Sequence, residues 1–287
     1  MQEGPTTKPR AAGFRGAVGV TPGQEWETEL CRPQEAAMHE PGERVHIEDG
    51  PKRVRTYLGG ELIADTKRSK LVWEVPYYPA YYFPETDVRM GLLIPNGHTR
   101  HSPSRGDAHN FNVKGGDREV EDAAWHYPDS PVEELRTLIR FDWDAMDGWF
   151  EEDEEVFVHP HDPYTRIDIL RSSRHVQVEV NGVTVADTNQ PTLLFETRLP
   201  TRYYIPKVDV RMDLLTPTAA TTGCAYKGFA KYWSVTAGDE TFEDLVWSYP
   251  TPLPENVKIA GLVAFYNEKV DIIVDGERLK RPKTKFS

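Results

Sequence analysis

The sequence predicts a mainly β protein that contains two copies of one domain. Residues 60–128 align without a gap with residues 182–250 at an offset of 122, and 27 of these 69 positions carry the same amino acid. Agreement over such a length indicates internal duplication. Each copy contains short stretches of alternating apolar and polar residues, separated by Gly, Pro, Asn and Asp, a pattern typical of β-strands joined by turns. A chain of 287 residues has room for two such domains.

A flexible tail is predicted over residues 1–48, ahead of the duplicated region. This stretch is rich in Pro, Gly, Glu and Thr and shows neither helical nor strand periodicity. It therefore cannot bury enough apolar surface to offset the entropy lost on ordering. The short apolar piece from Phe14 to Val20 could instead dock on a domain.

A β-hairpin is expected near the start of each copy. In the second copy, Asn181-Gly182 separates two runs of alternating β-branched residues, a strong hairpin signal, and Gly59-Gly60 occupies a similar place in the first. Asp87 and Asp209 are each expected to cap a single helical turn. Further strands of the second copy are expected at 193–197, 203–205, 233–236, 244–249, 262–266 and 270–274, most of them with counterparts in the first copy.

Residues 131–170 are predicted to join a first β domain, residues 49–130, to a second, residues 171–287. Four apolar residues recur there at helical spacing, which favours a short connecting helix packed on both domains. They are Trp143, Met146, Trp149 and Phe150. The acidic run 151–155 follows, and because like charges repel, a solvated surface is favoured over a metal or partner site.

Composition argues against several classes of partner. The net charge is −12, with 46 acidic against 34 basic residues, which disfavours nucleic-acid binding. No apolar run approaches the length needed to cross a bilayer, and the first ten residues lack the apolar core of a signal peptide. Cys31 and Cys224 show no paired spacing of the kind seen in zinc or disulfide frameworks. We therefore expect a soluble cytoplasmic protein without nucleic-acid or membrane partners.

One loop differs between the copies in a way that suggests chemistry. Between Gly223 and Gly228 the second copy carries Cys224, Tyr226 and Lys227, and the first copy has none of these three residues at the matching positions. An ammonium group beside a thiol favours the nucleophilic thiolate, so Cys224 and Lys227 are the candidate catalytic residues. The structural alternative is a small buried cysteine without reactivity.

Aromatic, acidic and basic residues shared by the two copies suggest a ligand site. An arginine near aromatic rings can hold a planar anion or a ring system. The candidate ligand-binding residues are the shared Tyr203, Asp209, Arg211, Trp247 and Tyr249, together with Tyr226 of the loop that differs between the copies. The structural alternative is an Asp–Arg pair that fixes the fold beside core aromatics.

Histidines are concentrated in the first copy. His98 and His101 have a spacing that could ligate a metal, but their counterparts Ala220 and Gly223 cannot. Short histidine spacings in polar loops are weakly diagnostic, so solvated histidines are favoured and no metal site is predicted. The sequence identifies no cofactor.

Several motifs, most of them in the second copy, resemble the family called domain of unknown function 427, in a tandem arrangement. They are Ala186-Asp187-Thr188, Tyr203 to Pro206, Asp209 to Met212, Cys224 to Gly228, Trp233 to Val235, Trp247 to Tyr249 and Ala260 to Tyr266. The resemblance implies a β-tent-like fold. This fold is similar to that of a zinc-binding exchange-factor chaperone family, but the present chain lacks the cysteine pairs of that family. The family usually has Pro where this chain has Ala225. It also carries a putative nucleotidyltransferase label, although no compact carboxylate pair for Mg²⁺ stands out in the sequence.

Three functions follow from these observations. The first is binding of a small anionic or aromatic ligand in the second domain, with enzymatic activity left open. The second is a non-enzymatic protein-interaction module, and the third is a nucleotidyltransferase-like enzyme as the family label suggests. The two repeats are expected to pack on each other, and the sequence identifies neither substrate nor reaction.

Overall fold

The computed structural model describes residues 45–284 and 286–287. The predicted tail therefore lies outside the described residues, except for positions 45–48, and so do Phe14 to Val20 and Cys31. No helix in the described part is long and apolar enough to cross a membrane.

The first repeat consists of two antiparallel sheets. Its strands are β1 (His46–Asp49), β2 (Val54–Leu58), β3 (Glu61–Thr66), β4 (Lys70–Val75), β5 (Tyr78–Pro84), β6 (Leu93–Ser102), β7 (Gly106–Gly115), β8 (Arg118–His126), β9 (Leu138–Phe141), β10 (Gly148–Glu151) and β11 (Glu154–Val156). The larger sheet has the order β1-β4-β5-β9-β8-β7-β6, and the smaller has the order β11-β10-β2-β3. Three 3₁₀ turns lie at Glu85–Asp87, Met90–Leu92 and Glu133–Leu135.

The second repeat has the same arrangement with shorter pairings. Its strands are β12 (Ile167–Arg171), β13 (Val176–Val180), β14 (Val183–Thr188), β15 (Thr192–Glu196), β16 (Arg202–Tyr204), β17 (Leu215–Cys224), β18 (Gly228–Ala237), β19 (Glu240–Ser248), β20 (Val263–Phe265), β21 (Asp271–Val274) and β22 (Glu277–Arg278). They form sheets β12-β15-β16, β14-β13-β21-β22 and β17-β18-β19-β20. A single bridge between Ile205 and Val263 connects the first of these sheets to the last. The 3₁₀ turns are Lys207–Asp209, Met212–Leu214 and Pro254–Ile259.

The mainly β class and the tandem domains are confirmed. Strands β13 and β14 pair in antiparallel fashion across Asn181-Gly182, whose φ angles are 48° and 74°. Those positive angles are what a primed hairpin turn requires, and Asn and Gly adopt them most readily. The β-tent resemblance stays a prediction.

The connecting helix expected around Trp143 to Phe150 is not present. Residues Gly148–Glu151 instead form β10, which pairs with β2, and the preceding residues form a turn. The indoles of Trp143 and Trp149 stack with centroids 4.6 Å apart and close this turn. Helical spacing was misleading because Trp149 and Glu151 alternate with partly exposed neighbours, as the residues of a strand do. Strands β9 and β10 thus complete the sheets of the first repeat.

Two smaller expectations also differ from the structure. Glu152 to Glu155 are exposed as predicted, but Glu151 is buried and accepts hydrogen bonds from Tyr81 and Lys52. Asp87 ends its 3₁₀ turn instead of capping it, and its carboxylate accepts a hydrogen bond from the Thr66 hydroxyl at 2.6 Å. The equivalent Asp209 does the same with Thr188.

Each repeat has two apolar clusters, one on each side of its long hairpins. In the second repeat, the first cluster lies between the sheets and includes Val178, Tyr203 and Val246. The second covers the opposite face of β18 to β20 and includes Tyr204 and Trp247. Neighbouring residues belong to different clusters because successive side chains of a strand point to opposite faces.

Candidate functional site

A cavity of about 580 Å³ opens on the second of these faces. That volume lies in the range typical of small-molecule sites. Its floor is aromatic: Tyr204 comes from β16, Tyr232 from β18 and Trp247 from β19, and Tyr249 follows directly after β19. The four side chains share the cavity because they all point to the same face of the connected sheets.

The aromatic floor is held by hydrogen bonds and ring contacts. The Trp247 indole donates to the Tyr204 hydroxyl at 3.2 Å, and the two rings meet edge-on. Tyr266 packs against Trp247 with centroids 4.6 Å apart, and the hydroxyls of Thr222 and Tyr232 lie 2.7 Å apart. Such contacts fix ring positions, so the floor is a preformed surface for a flat ligand.

Tyr249 has an unused donor in this cavity. The residue is 6% exposed, and no hydrogen-bond partner for its hydroxyl exists among residues 45–284 and 286–287. Burial raises the pKa of Tyr249 above its ordinary value, so the phenol remains protonated at neutral pH. The hydroxyl itself is accessible within the cavity, so an acceptor atom of a ligand can reach it.

Two buried ion pairs form the charged wall. Lys227 donates from Nζ to Glu196 at 2.7 Å, with both side chains about nine-tenths buried. Arg202 makes two hydrogen bonds to Glu268, at 2.7 and 2.8 Å. Burial opposes ionisation of Glu268, but hydrogen bonds from Arg202 and Thr284 outweigh it and leave the pKa of Glu268 below its ordinary value.

The mouth of the cavity is positively charged. Arg198 and Lys283 join Arg202 and Lys227 among the lining residues, against Glu196 as the one lining carboxylate. Lys283 is exposed, and Arg198 donates to the Pro76 carbonyl at 2.7 Å. Lys227, Arg202 and Arg198 pair with Glu196, Glu268 and Asp162, the last pair at 3.9 Å. Within the described residues, Lys283 therefore supplies the positive charge that stays uncompensated at the mouth.

The first repeat supplies part of the wall. Tyr77 and Tyr78, at the turn between β4 and β5, line the cavity together with Val158 and His159 from the connecting segment. The Tyr78 and His159 rings stack with centroids 3.9 Å apart. The cavity therefore lies between the repeats and needs both to be complete.

Five residues predicted from the sequence line this cavity: Cys224, Tyr226, Lys227, Trp247 and Tyr249. The loop turns tightly, and the Lys227 amide donates to the Cys224 carbonyl at 3.2 Å. Burial raises the pKa values of Tyr204, Tyr226 and Tyr249. The half-buried Cys224 lines the same cavity as these three phenols. Lys227 is bound by Glu196, so its ammonium is not directed to the thiol alone.

The structure does not bring Tyr203, Asp209 and Arg211 to the cavity. Tyr203 packs in the core between the sheets, because it points opposite to Tyr204. Asp209 is tied to Thr188, as described above, and Arg211 is exposed and pairs with Asp213 at 2.6 Å.

Sequence reasoning missed the residues that give the cavity its charge. Glu196, Arg202 and Arg198 line it, but none was a candidate. The sequence does contain one indication of the importance of Glu196, because the matching position of the first repeat, Glu74, carries the same amino acid. The position of Arg202 is occupied by Ala80 in the first repeat, a difference that could also have been informative.

The equivalent place in the first repeat is filled by arginines. The guanidinium carbons of Arg100 and Arg140 lie 3.9 and 4.7 Å from the ring centroid of Trp125, the counterpart of Trp247. The second repeat has Thr222 where the first has Arg100. The register of β8 with β9 matches that of β19 with β20, and places Ala264 where the first repeat has Arg140. Small side chains at these two positions leave the second site open.

One group in the described residues has the geometry of a metal site, and it lies in the first repeat. Ligand atoms of His98, Glu121 and Asp122 lie within 4.8 Å of one another. Hydrogen bonds from Asn96 and Asn110 lower the pKa of Asp122 to about 2. Asp122 has a φ of 54° beside a register shift, and its counterpart Asp244 has a φ of 48°, so a role in the strand bulge explains this residue in both repeats.

The fold is that of a tandem β protein, and the cavity on the second repeat, about 580 Å³, is larger than the cavity of about 240 Å³ on the first. The profile of one family matches residues 46–152 and again residues 168–276. That family is described as Domain of unknown function (DUF427) and carries the label NTP_transf_9. The chain belongs to this family, with two of its domains in tandem. The comparison with curated proteins found no match.

Proposed function

We propose that the second repeat binds a small aromatic anion. The observation that supports this most strongly is the composition of the cavity: an aromatic floor of four rings under a wall with four basic side chains and one carboxylate. Flat rings favour stacking on Trp and Tyr, and basic side chains favour an anion. A volume of about 580 Å³ suits a ligand of one or two rings.

The orientation of the ligand follows from where charges remain available. Arg202 and Lys227 already have carboxylate partners, whereas Lys283 is exposed at the mouth. Arg198 has Asp162 as an ionic partner at 3.9 Å. The anionic group therefore lies near Lys283, and the ring lies deeper, against Trp247. The Tyr249 hydroxyl donates to a polar atom of the ring.

Titration of the full chain with 4-methylbenzoate and with phenyl phosphate tests this proposal. We expect saturable binding of one molecule per chain by calorimetry, with a change in tryptophan fluorescence. Lys283→Ala weakens binding about two- to fivefold, because an exposed charge pair contributes about 0.2–1 kcal/mol. Lys280→Ala, an exposed lysine outside this cavity, is the matched control and leaves the affinity unchanged. Absence of binding for both probes contradicts the proposal.

A reaction at Cys224 is the second candidate function. The half-buried thiol lines the same cavity as the phenols of Tyr204, Tyr226 and Tyr249. With 4-nitrophenyl acetate, attack of the thiolate on the carbonyl would form a thioester and release 4-nitrophenolate. We expect a burst of one nitrophenolate per chain and an acetyl group on Cys224 by mass spectrometry. Cys224→Ser removes the burst and Cys31→Ser retains it; a burst that survives Cys224→Ser contradicts this candidate.

The other two functions predicted from the sequence have less support. Nucleotidyl transfer uses carboxylates that hold Mg²⁺ against phosphates, and Glu196, the one lining carboxylate, is paired with Lys227. Calorimetry with AMP and Mg²⁺ checks this candidate. The protein-interaction alternative uses either the acidic run 151–155, of which residues 152–155 are exposed, or residues 1–48, most of which lie outside the described part of the chain.

A further inference from the structure

We infer that the deep end of the second-repeat cavity recognises an amidine or guanidine group, which stacks on Trp247 and pairs with Glu196. The inference rests on the proposed binding function and names the second group of the same ligand. The ligand class is thus an aromatic acid that carries a planar N–C–N cation at the end opposite to its anionic group.

The first repeat contains such a group already bound. The Arg140 guanidinium lies 4.7 Å from the ring centroid of Trp125, and its Nη2 atom lies 3.4 Å from a Glu74 oxygen. An indole face and a carboxylate together hold a planar cation there. Both interactions are favourable for guanidinium groups, which stack on aromatic rings and donate to carboxylates in one plane.

The second repeat keeps the receptor and lacks the bound group. Glu196 and Trp247 match Glu74 and Trp125 at the offset of 122, and both line the cavity. Ala264 matches Arg140 in strand register, and its side chain ends at Cβ. No side chain from β20 therefore reaches the space between the indole and the carboxylate.

Arg202 does not replace the missing guanidinium. It lies on β16, at the position of Ala80 in the first repeat, and its guanidinium carbon is 5.5 Å from the Trp247 centroid. Its hydrogen bonds go to both oxygens of Glu268 and to Asn267, not to Glu196. Arg202 thus has its own buried carboxylate and leaves Glu196 available.

Glu196 retains acceptor capacity. Its Oε2 atom accepts from Lys227, and no donor within the described residues reaches its Oε1 atom. Its counterpart Glu74 accepts from Tyr82 at 2.6 Å and from Arg140, with Arg105 at 4.0 Å. A carboxylate has about four acceptor positions, so one ammonium does not saturate it. The first repeat also shows that this carboxylate tolerates two cations at once.

Paired probes test the inference on the full chain. 4-Amidinobenzoate has the ring and the carboxylate of 4-methylbenzoate, with an amidinium in place of the methyl group. We expect calorimetry to show that the amidine binds at least tenfold more tightly. Glu196→Gln removes that difference between the two probes, and Glu74→Gln, the matched change in the first repeat, leaves both affinities unchanged.

Each result separates the inference from the proposed function. Equal affinity of wild-type protein for the two probes overturns the inference, although the function stands. Tight amidine binding that survives Glu196→Gln also overturns it. Absence of binding for both probes overturns the inference and the function together. Because Glu196→Gln leaves Lys227 without its anion, circular dichroism confirms that the variant is folded, and the wild-type comparison of probes stays decisive if it is not.

Discussion

The two repeats keep the same indole, phenols and carboxylate but use them differently. In the first, Arg100 and Arg140 cover Trp125, and Arg105 donates to the Tyr127 hydroxyl at 3.3 Å. In the second, the two arginines over the indole are replaced by Thr222 and Ala264, and the counterpart of Tyr127 has no partner among the described residues. The first repeat fills the space over its indole with its own arginines, whereas the second has small side chains there, and in our proposal a ligand occupies that space.

This difference shows how a duplicated fold can separate stability from binding. Filling a cavity restores packing contacts and supplies partners for buried polar atoms, both of which stabilise the folded state. An open polar cavity gives up that stabilisation, which is a common feature of functional sites. The first repeat also contributes Tyr77 and Tyr78 to the wall of the cavity that we propose as the binding site.

The largest effect on stability is expected for Arg202, whose counterpart in the first repeat is Ala80. Arg202→Ala leaves the Glu268 carboxylate, fully buried in the native protein, without its cation. Loss of one partner of a buried pair costs about 3–5 kcal/mol in the free energy of unfolding. Urea denaturation followed by circular dichroism measures this cost, and a loss below 1 kcal/mol, on the order of an exposed ion pair, would contradict the account.

The Arg202–Glu268 pair also determines how the free energy of unfolding changes with pH. The folded pKa of Glu268 lies below its ordinary value, so the pair stabilises the protein fully above about pH 4.3, the value for an unperturbed Glu. This contribution is lost as the pH falls through the folded pKa. The stabilities of wild-type protein and Arg202→Ala should therefore converge in acid; a constant difference between them would exclude this cause.

A smaller effect is expected for the matched arginine of the first repeat. Arg140→Ala leaves Glu74 with Tyr82 and Arg105, so its carboxylate keeps two neighbours. We expect a loss of about 1–3 kcal/mol, the range for an incompletely satisfied buried group. Urea denaturation under the same conditions ranks the two variants, and a larger loss than for Arg202→Ala would reverse the comparison between the repeats.

Much of the fold could be predicted because its signals are local. The repeat offset and the Asn181-Gly182 turn require only sequence spacing, and both correspond to structure. The segment from Trp143 to Phe150 was wrongly predicted as a helix because its apolar spacing fits a helix as well as a turn and strand. Pairing with β2 decides the outcome, and pairing across more than 90 residues has no local signal.

The site could be predicted in part. Cys224, Tyr226 and Lys227 were found because they differ between the repeats, and they do line the cavity. Tyr203 was chosen where Tyr204 lines the cavity, because choosing between adjacent residues requires knowing which face of the strand is covered. Glu196 appears ordinary in the sequence, since its importance arises from contacts with distant strands.

The most direct test of the proposed binding site is to fill the cavity of the second repeat with an arginine, the side chain that covers the equivalent indole of the first repeat. Thr222→Arg places an arginine over Trp247 as Arg100 lies over Trp125. Thr221→Arg, one residue earlier on the same strand and facing away, is the matched control. Calorimetric titration with 4-methylbenzoate should show at least a tenfold loss of affinity for Thr222→Arg and none for Thr221→Arg. Equal affinity of the wild-type protein and Thr222→Arg would contradict the assignment of this cavity as the binding site.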